Sequence, residues 1–423
     1  MNNKRLYHLS SIVILVAVAL PRPALALQPI DVFVDGARSY NPRNREVRAN
    51  REVTEAQAGE AMGRALPGIS AGATYTRNQW DVSFSGLSVL PRDQVDAAVT
   101  LSVPLVDLAK FARISAADRS AQAATHQQHA TEREVEAQVV QLYYQLAADL
   151  ALVSVANKAL EVVRVDFKLT EEAARAGSAA ALDVARARAE VEQRSQQLTS
   201  AELEVKLTAQ SLTSRTGIRP DTEIAPELAD DLHDEPPIQG FLAGVAATPA
   251  VLATTTSRIA AERSATAQRL TMLPALGGAF TERYTNATGF LNGHHEAYAA
   301  SVSLTWALDL GTAPAIRARK AEALAAKARE EEVSLAVVEA VVRAFSTIEA
   351  DIARSNSARA QAAATARAAE IARTRYRAGV VTQLEMIQAD RDAFAAEAAR
   401  IQTDSDLLNA RRQLRLASGS DAP

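Results

Sequence analysis

The sequence predicts a mainly α-helical protein with a small membrane β-barrel portion, built from two copies of one unit. Three observations lead there. Long runs free of glycine and proline are rich in Ala, Glu, Arg, Gln and Leu, all strong helix formers. Short segments alternate apolar with small polar residues at period two, the pattern of a strand. A set of markers recurs in the same order at offsets of 202 to 207 residues, which makes the chain a duplication.

The chain has 423 residues, of which 48% are hydrophobic but only 4% aromatic, so large core-filling side chains are scarce. Cysteine is absent, which excludes disulfide scaffolds, thiol nucleophiles, cysteine metal sites and a lipid-modified N-terminus. Residues 1–26 read as a signal peptide: Lys4 and Arg5 precede an apolar run from Leu9 to Leu20, and Ala24-Leu25-Ala26 is a small-x-small cleavage site. That apolar run is too short to cross a bilayer core of ~30 Å. The mature chain is expected to begin near Leu27, and loss of Lys4, Arg5 and Arg22 takes the formal charge from −4 to −7. This balance gives no support to a nucleic-acid partner. No later stretch holds 18 consecutive apolar residues, so no second membrane helix is expected.

The two units are expected over 27–217 and 242–419, joined by an acidic linker at 218–241 and followed by a tail at 420–423. Asn41-Pro42 and Leu66-Pro67 recur as Thr248-Pro249 and Leu273-Pro274 at offset 207. Val99-Thr100-Leu101-Ser102 recurs as Val302-Ser303-Leu304-Thr305 at 203, and Arg175-Ala176-Gly177 as Arg377-Ala378-Gly379 at 202. Each unit opens with a helix, at about 35–64 and about 242–271, stopped by Leu-Pro. Strands follow at about 69–77 and 95–104 in the first unit, and about 276–284 and 298–306 in the second. Next come 72 residues without Gly or Pro before Gly177, and 64 before Gly379. These predict long helices over about 107–176 and 313–378, roughly 100 Å each. Gly177 and Gly379 mark tight reversals, where glycine takes the left-handed conformation past a helix end. Helices over 178–216 and 380–418 complete the units.

The strands pose a closure problem. Val95, Ala97, Val99, Leu101 and Val103 share one face, as do Tyr298, Ala300, Val302, Leu304 and Trp306. Within a bilayer only a closed barrel satisfies strand backbone. Four strands are too few, since membrane barrels need eight or more. Three chains pooling their strands would supply twelve, with Tyr298 and Trp306 in an aromatic girdle.

The sequence resembles the TolC family of outer-membrane efflux proteins over essentially the whole mature chain. The resemblance rests on the duplicated layout, Asn41-Pro42, Leu66-Pro67, and the strand-to-helix transitions around Pro104, Asp107, Asp309 and Gly311. It rests also on the turns from Ala176-Gly177 to Leu182-Asp183-Val184 and from Tyr376 to Leu384-Glu385-Met386-Ile387. It implies a homotrimer with a 12-stranded outer-membrane barrel continued by an α-helical periplasmic tunnel in a Gram-negative bacterium. Implied partners are a periplasmic adaptor protein, an inner-membrane transporter and outer-membrane lipids.

In that family polar links close the tunnel at its periplasmic tip. The resemblance places Asp183 at a tip aspartate, Tyr376 at a gating tyrosine and Glu385 at the first of two acidic rings. Gln388 stands at the second ring and Val381 at the gating arginine, with Arg377 or Arg175 as substitutes. Three carboxylates around one axis would repel one another and attract cations. Asp183 and Glu385 also fit as ordinary first-turn acids that favour the helix dipole.

Two histidine pairs, His126/His129 and His294-His295, lack nearby acids and a third ligand, so they read as solvated and no metal site is expected. There is no phosphate-binding glycine loop and no nucleophile elbow, so neither cofactor nor catalysis is expected. The function expected is the outer-membrane channel of a tripartite efflux system. The exit duct of a type I protein-secretion system shares the fold. In a different class stands a periplasmic coiled-coil adaptor or spacer.

Overall fold

A computed structural model describes residues 27–307 and 309–419. The signal peptide at 1–26 and the tail at 420–423 lie outside the described residues, as does Leu308 in the second strand-to-helix transition.

The first unit runs through α1 (Ile30–Tyr40), α2 (Pro42–Gly63), β1 (Gly68–Arg77), β2 (Val82–Phe84), β3 (Leu87–Leu90), β4 (Asp93–Val106), α3 (Leu108–Arg175) and α4 (Ala181–Thr216). The second comprises α5 (Ile238–Ala243), α6 (Pro249–Leu270), β5 (Ala275–Thr285), β6 (Glu296–Thr305), α7 (Thr312–Arg377) and α8 (Gln383–Ser418). At 68 and 66 residues, α3 and α7 are each roughly 100 Å long. The 22-residue α2 and α6 cover one half of these helices, and the 36-residue α4 and α8 the other.

Two expectations are corrected. The helix expected over about 35–64 is two helices, because Asn41 leaves the helical conformation. Its Oδ1 accepts from Arg43 N at 3.0 Å, which caps α2, and Pro42 fits the first helical turn. The helix expected over about 242–271 is likewise split into α5, a short 3-10 turn at Val245–Ala247 and α6. This stretch, Ile238–Leu270, includes an 18-residue window of mean hydropathy 1.4, apolar enough to cross a membrane. It is nonetheless rich in Ala and Thr, broken before Pro249, and packed along α3 and α7 as a wall of the bundle.

The four long strands form one antiparallel sheet in the order β1-β4-β5-β6. The pairings Ile69–Leu101, Leu101–Phe280 and Phe280–Ala300 put all four on one face. That face carries Ile69, Val99, Leu101, Phe280, Val302 and Leu304, all exposed. The opposite face carries Ser70, Thr100, Ser102, Thr281, Ser301 and Ser303. Pro104 does not end its strand. Instead β4 passes through it to Val106 with a register shift opposite Gly277 and Leu276, a bulge that tolerates the missing N–H.

Large buried side chains gather at the waist in two clusters. One joins Phe33, Val139, Leu146 and Leu212; the other joins Val341, Ile348, Leu407 and Leu414. Val139 and Val341, Leu146 and Ile348, and Leu212 and Leu414 are each 202 residues apart, so the duplication extends to the core. The acidic segment at 218–241 spans both: Ala225 and Leu228 pack on the first cluster and Leu232 on the second. Arg411 of α8 clamps it, meeting Asp230 at 2.9 Å and Glu235 at 2.6 Å.

The helical tip as candidate functional site

Far from the sheet, the hairpins α3/α4 and α7/α8 each turn at a glycine. Gly177 (φ +78°) and Gly379 (φ +74°) occupy the left-handed region, and open space surrounds the position of an added Cβ. The requirement at both is therefore conformational. Ser178 N donates to Ala173 O and Val380 N to Arg375 O, both at 2.9 Å, so each turn satisfies a carbonyl at the end of its helix.

The expected gate residues fall around these turns. Asp183 sits in the first turn of α4, 3.8 Å from Arg186, and its backbone carbonyl accepts from Gln383 Nε2 at 3.1 Å. This bond ties α8 to the first hairpin. Glu385 is held by its own helix: its Oε2 accepts from Thr382 N at 2.8 Å while Thr382 Oγ1 accepts from Glu385 N at 3.3 Å, a reciprocal capping box. Gln388 donates to Asp392 at 2.9 Å and is exposed. Tyr376 is half-buried, and its carbonyl accepts from Gly379 N. Arg377 is exposed, Arg175 pairs with Glu171 at 3.8 Å, and Val381 is half-buried. Asp183, Tyr376, Glu385 and Arg377 are thus near one another along the tip without forming one bonded cluster in the single chain.

A denser polar node lies two turns above and was not foreseen. Glu190 of α4 accepts from Arg194 Nε at 2.9 Å and from Arg391 of α8, Nε at 2.9 Å and Nη2 at 2.5 Å. Glu190 and Arg194 are almost fully buried, and the Arg194 guanidinium lies 4.7 Å from the centre of the Phe394 ring. Nearby, Arg373 of α7 meets Asp390 of α8 at 2.8 Å. Burial holds the Asp390 carboxyl above the usual carboxylate range, against the pull of Arg373 and helped by the charge of Asp166. Burial raises Asp166 as well, with Arg373 and Arg377 opposing. Around Glu190, whose counterpart at the 202-residue offset is Asp392, the partners do not repeat: Asp166 answers to Ala368, Arg373 to Glu171, Asp390 to Arg188 and Arg391 to Ala189. The only sequence signal was this departure from the repeat.

The comparison with known families decides what this architecture is. The model of the outer membrane efflux protein family matches twice, over residues 34–217 and 245–420. The chain belongs to the outer membrane efflux protein family.

The two matches of this outer membrane efflux protein coincide with its two structural units. Its fold is shared with the outer-membrane channel OprN, at 23% identity and a TM-score of 0.77, covering 92% of this chain and 90% of that one. CmeC, an outer membrane channel of Campylobacter jejuni, is 17% identical with a TM-score of 0.79, covering 94% and 88%. The outer membrane protein VceC of Vibrio cholerae is 18% identical with a TM-score of 0.78, covering 92% and 96%. No curated protein matches the chain by sequence.

At the other end of this efflux protein, the transition residues do local work. Asp107 caps α3 through Lys110 N at 2.9 Å, and Asp309 Oδ1 accepts from Thr312 Oγ1 at 3.2 Å. Gly311 leaves 3.0 Å between Asp309 Oδ1 and the position of a Cβ. Tyr298 and Trp306 are exposed near opposite ends of β6, and Trp306 Nε1 donates to Met272 O at 2.9 Å. Eight residues separate them by roughly 26 Å along the strand direction. On the small-polar face, Arg283 pairs with Asp96 across β4 and β5.

Asp230, Asp231 and His233 bring possible metal-ligand atoms within 4.8 Å of one another. Their electrostatics are already met by protein. Arg411 pairs with Asp230, and its Nη1 lies 3.1 Å from His233 Nε2. His129 Nδ1 lies 3.5 Å from Glu132, so one acid does approach the first histidine pair. His295 stacks on Tyr284 at 5.7 Å.

Proposed function

We propose that this chain is the outer-membrane channel of a tripartite efflux system: a passive exit duct from periplasm to exterior, assembled as a homotrimer in a Gram-negative outer membrane. One observation carries the reading. The sheet is apolar on one face, small and polar on the other, and among the described residues both its edge strands, β1 and β6, lack an outer partner. Unpaired edges cannot face lipid, so copies of the chain must close them. Three copies give twelve strands, with Ile69, Leu101, Phe280 and Leu304 toward lipid and the serines and threonines toward the lumen.

The long hairpins then extend the lumen into the periplasm as a tunnel that ends at the glycine turns. Asp183, Tyr376, Arg377, Glu385 and Gln388 sit where a gate and its selectivity would act. A periplasmic adaptor and an inner-membrane transporter deliver substrate and energy, and the channel supplies the path. Two tandem units with strands between helices differ from the single helical hairpin expected of an adaptor.

Imaging of the mature protein extracted in detergent tests this. A threefold cylinder well over ~100 Å long is expected. Separate thin rods, or a protein that needs no detergent, would overturn the reading.

A further inference from the structure

The tip wall contains a cavity in which acceptors outnumber donors. Val163, Asp166, Glu190, Gln383, Met386 and Asp390 line it, and it has room for a single water molecule. Three buried oxygens there have no hydrogen-bond donor: Asp166 Oδ2, Gln383 Oε1 and Asp390 Oδ1. Most donors around them are engaged elsewhere, Arg373 Nε being the buried exception. Gln383 Nε2 is used by the Asp183 carbonyl, while Arg194 and Arg391 are used by Glu190, Gln197 and Gln193. Arg373 Nη2 lies 2.8 Å from Asp390 Oδ1 as an ion pair, which leaves Asp166 Oδ2 and Gln383 Oε1 as the acceptors with no cation against them.

Each acceptor buried without a donor costs about 1–3 kcal/mol. One proton changes the count, because a protonated carboxyl is a donor. The charges facing the cavity show where it belongs. Helix α4 presents Glu190, paired with Arg194 and with Arg391 of α8; α7 presents Arg373, paired with Asp390, and Arg377. Asp166 of α3 is the carboxylate with no ion-pair contact of its own among the described residues.

We infer that Asp166 and Asp390 form a proton-binding site in the tip wall, one proton residing on Asp166 above the usual carboxylate range and donating into the cavity toward Gln383 Oε1 and Asp390 Oδ1. The raised carboxyls at both positions agree with this arrangement. Because α8 forms one wall of the cavity and α3/α4 the other, the proton is held only while α8 is docked. Docking is therefore strongest below the usual carboxylate range and weakens as pH rises from there up to the raised range, by up to about tenfold per pH unit for one proton, and levels off above it. The link to channel opening rests on the proposed gate at this tip; the proton site does not.

Infrared difference spectra of the intact detergent-purified protein test the site directly. The carbonyl stretch of a protonated carboxyl is expected to persist above the usual carboxylate range, to titrate away only as pH is raised further, and to be missing in Asp166→Asn. In Asp390→Asn, which removes the neighbouring charge, the same band should titrate at lower pH. Absence of the band in the wild-type protein, or its persistence in Asp166→Asn, would overturn the site. Hydrogen exchange of residues 383–394, corrected for intrinsic rates, tests the coupling. Opening should rise with pH in the wild type and stay flat in Asp166→Asn. A pH-dependent profile retained after the infrared band is lost would overturn the coupling while leaving the site standing.

Discussion

Replacing Glu190 by Gln should release α8 from α4 while leaving the waist intact. The carboxylate accepts three charge-assisted bonds, one from Arg194 and two from Arg391. The two arginines differ in setting. Arg194 is about 3% exposed and would keep only Gln197 and the Phe394 face, whereas the Arg391 side chain is 45% exposed and can turn to water. Removing one partner of a buried pair costs about 3–5 kcal/mol. The half-exposed Arg391 contributes far less, and Gln keeps one acceptor. The sum is set near the lower bound, about 3 kcal/mol, or roughly a 150-fold rise in undocking of α8. Amide exchange across residues 383–394 in the assembled protein reads this directly. Arg391→Ala serves as the internal comparison and should raise exchange only about fivefold, since its loss is worth about 1 kcal/mol. Equal protection in Glu190→Gln and wild type, or a larger effect from Arg391→Ala, would refute the reasoning.

Further outcomes follow from the same geometry. Gly177→Ala and Gly379→Ala should each destabilise their hairpin by about 1–2 kcal/mol, the cost of a left-handed L-residue; thermal unfolding of the two variants checks it, and a clash is not expected at either site. Thr382→Ala removes one half of the capping box and should cost about 1 kcal/mol, visible as faster exchange in the first turn of α8. Arg283→Ala removes the ion-pair partner of Asp96 on the small-polar face, which the proposed barrel turns toward its lumen, so single-channel currents in planar bilayers should become more cation-selective. Asp183→Ala with Glu385→Ala should lower cation preference in the same recordings; unchanged selectivity would remove these two acids from the ion path.

Much of this fold could be read from the sequence because the duplication repeats its punctuation. Gly177, Gly217, Gly379 and Gly419 all adopt positive φ and all fall on the 202-residue offset, so one repeat predicts the other. The apolar-polar alternation of β4 and β6 likewise reports their two faces without any knowledge of pairing. The short hairpin of β2 and β3 escaped notice, since it closes through Ser85 and Gly86 at positive φ and pairs over only a few residues. The helix break at Asn41 was missed for another reason. A capping asparagine followed by proline can begin a helix, and nothing local shows that a separate helix ends there too. Glu385 fits both a ring acid and a first-turn acid, and Thr382 closes a capping box with it that the sequence pattern T-x-x-E already carries. The node at Glu190 depends on side chains 200 positions apart, a relation no local pattern encodes.

The concentration of large side chains at the waist has a mechanical consequence. Towards the turns, the buried positions of α7 are Ala358, Ala362 and Ala369, residues that slide past neighbours with little interlocking. At the waist, Ile348, Leu407 and Leu414 interlock with Phe345 and Phe241. Helix α8 is thus a lever with its fulcrum near Leu407 and about 36 Å of arm down to Gln383. A rotation of roughly 15° there carries the tip about 9 Å, so with the proposed gate at this tip a small repacking at the fulcrum would be enough to open it.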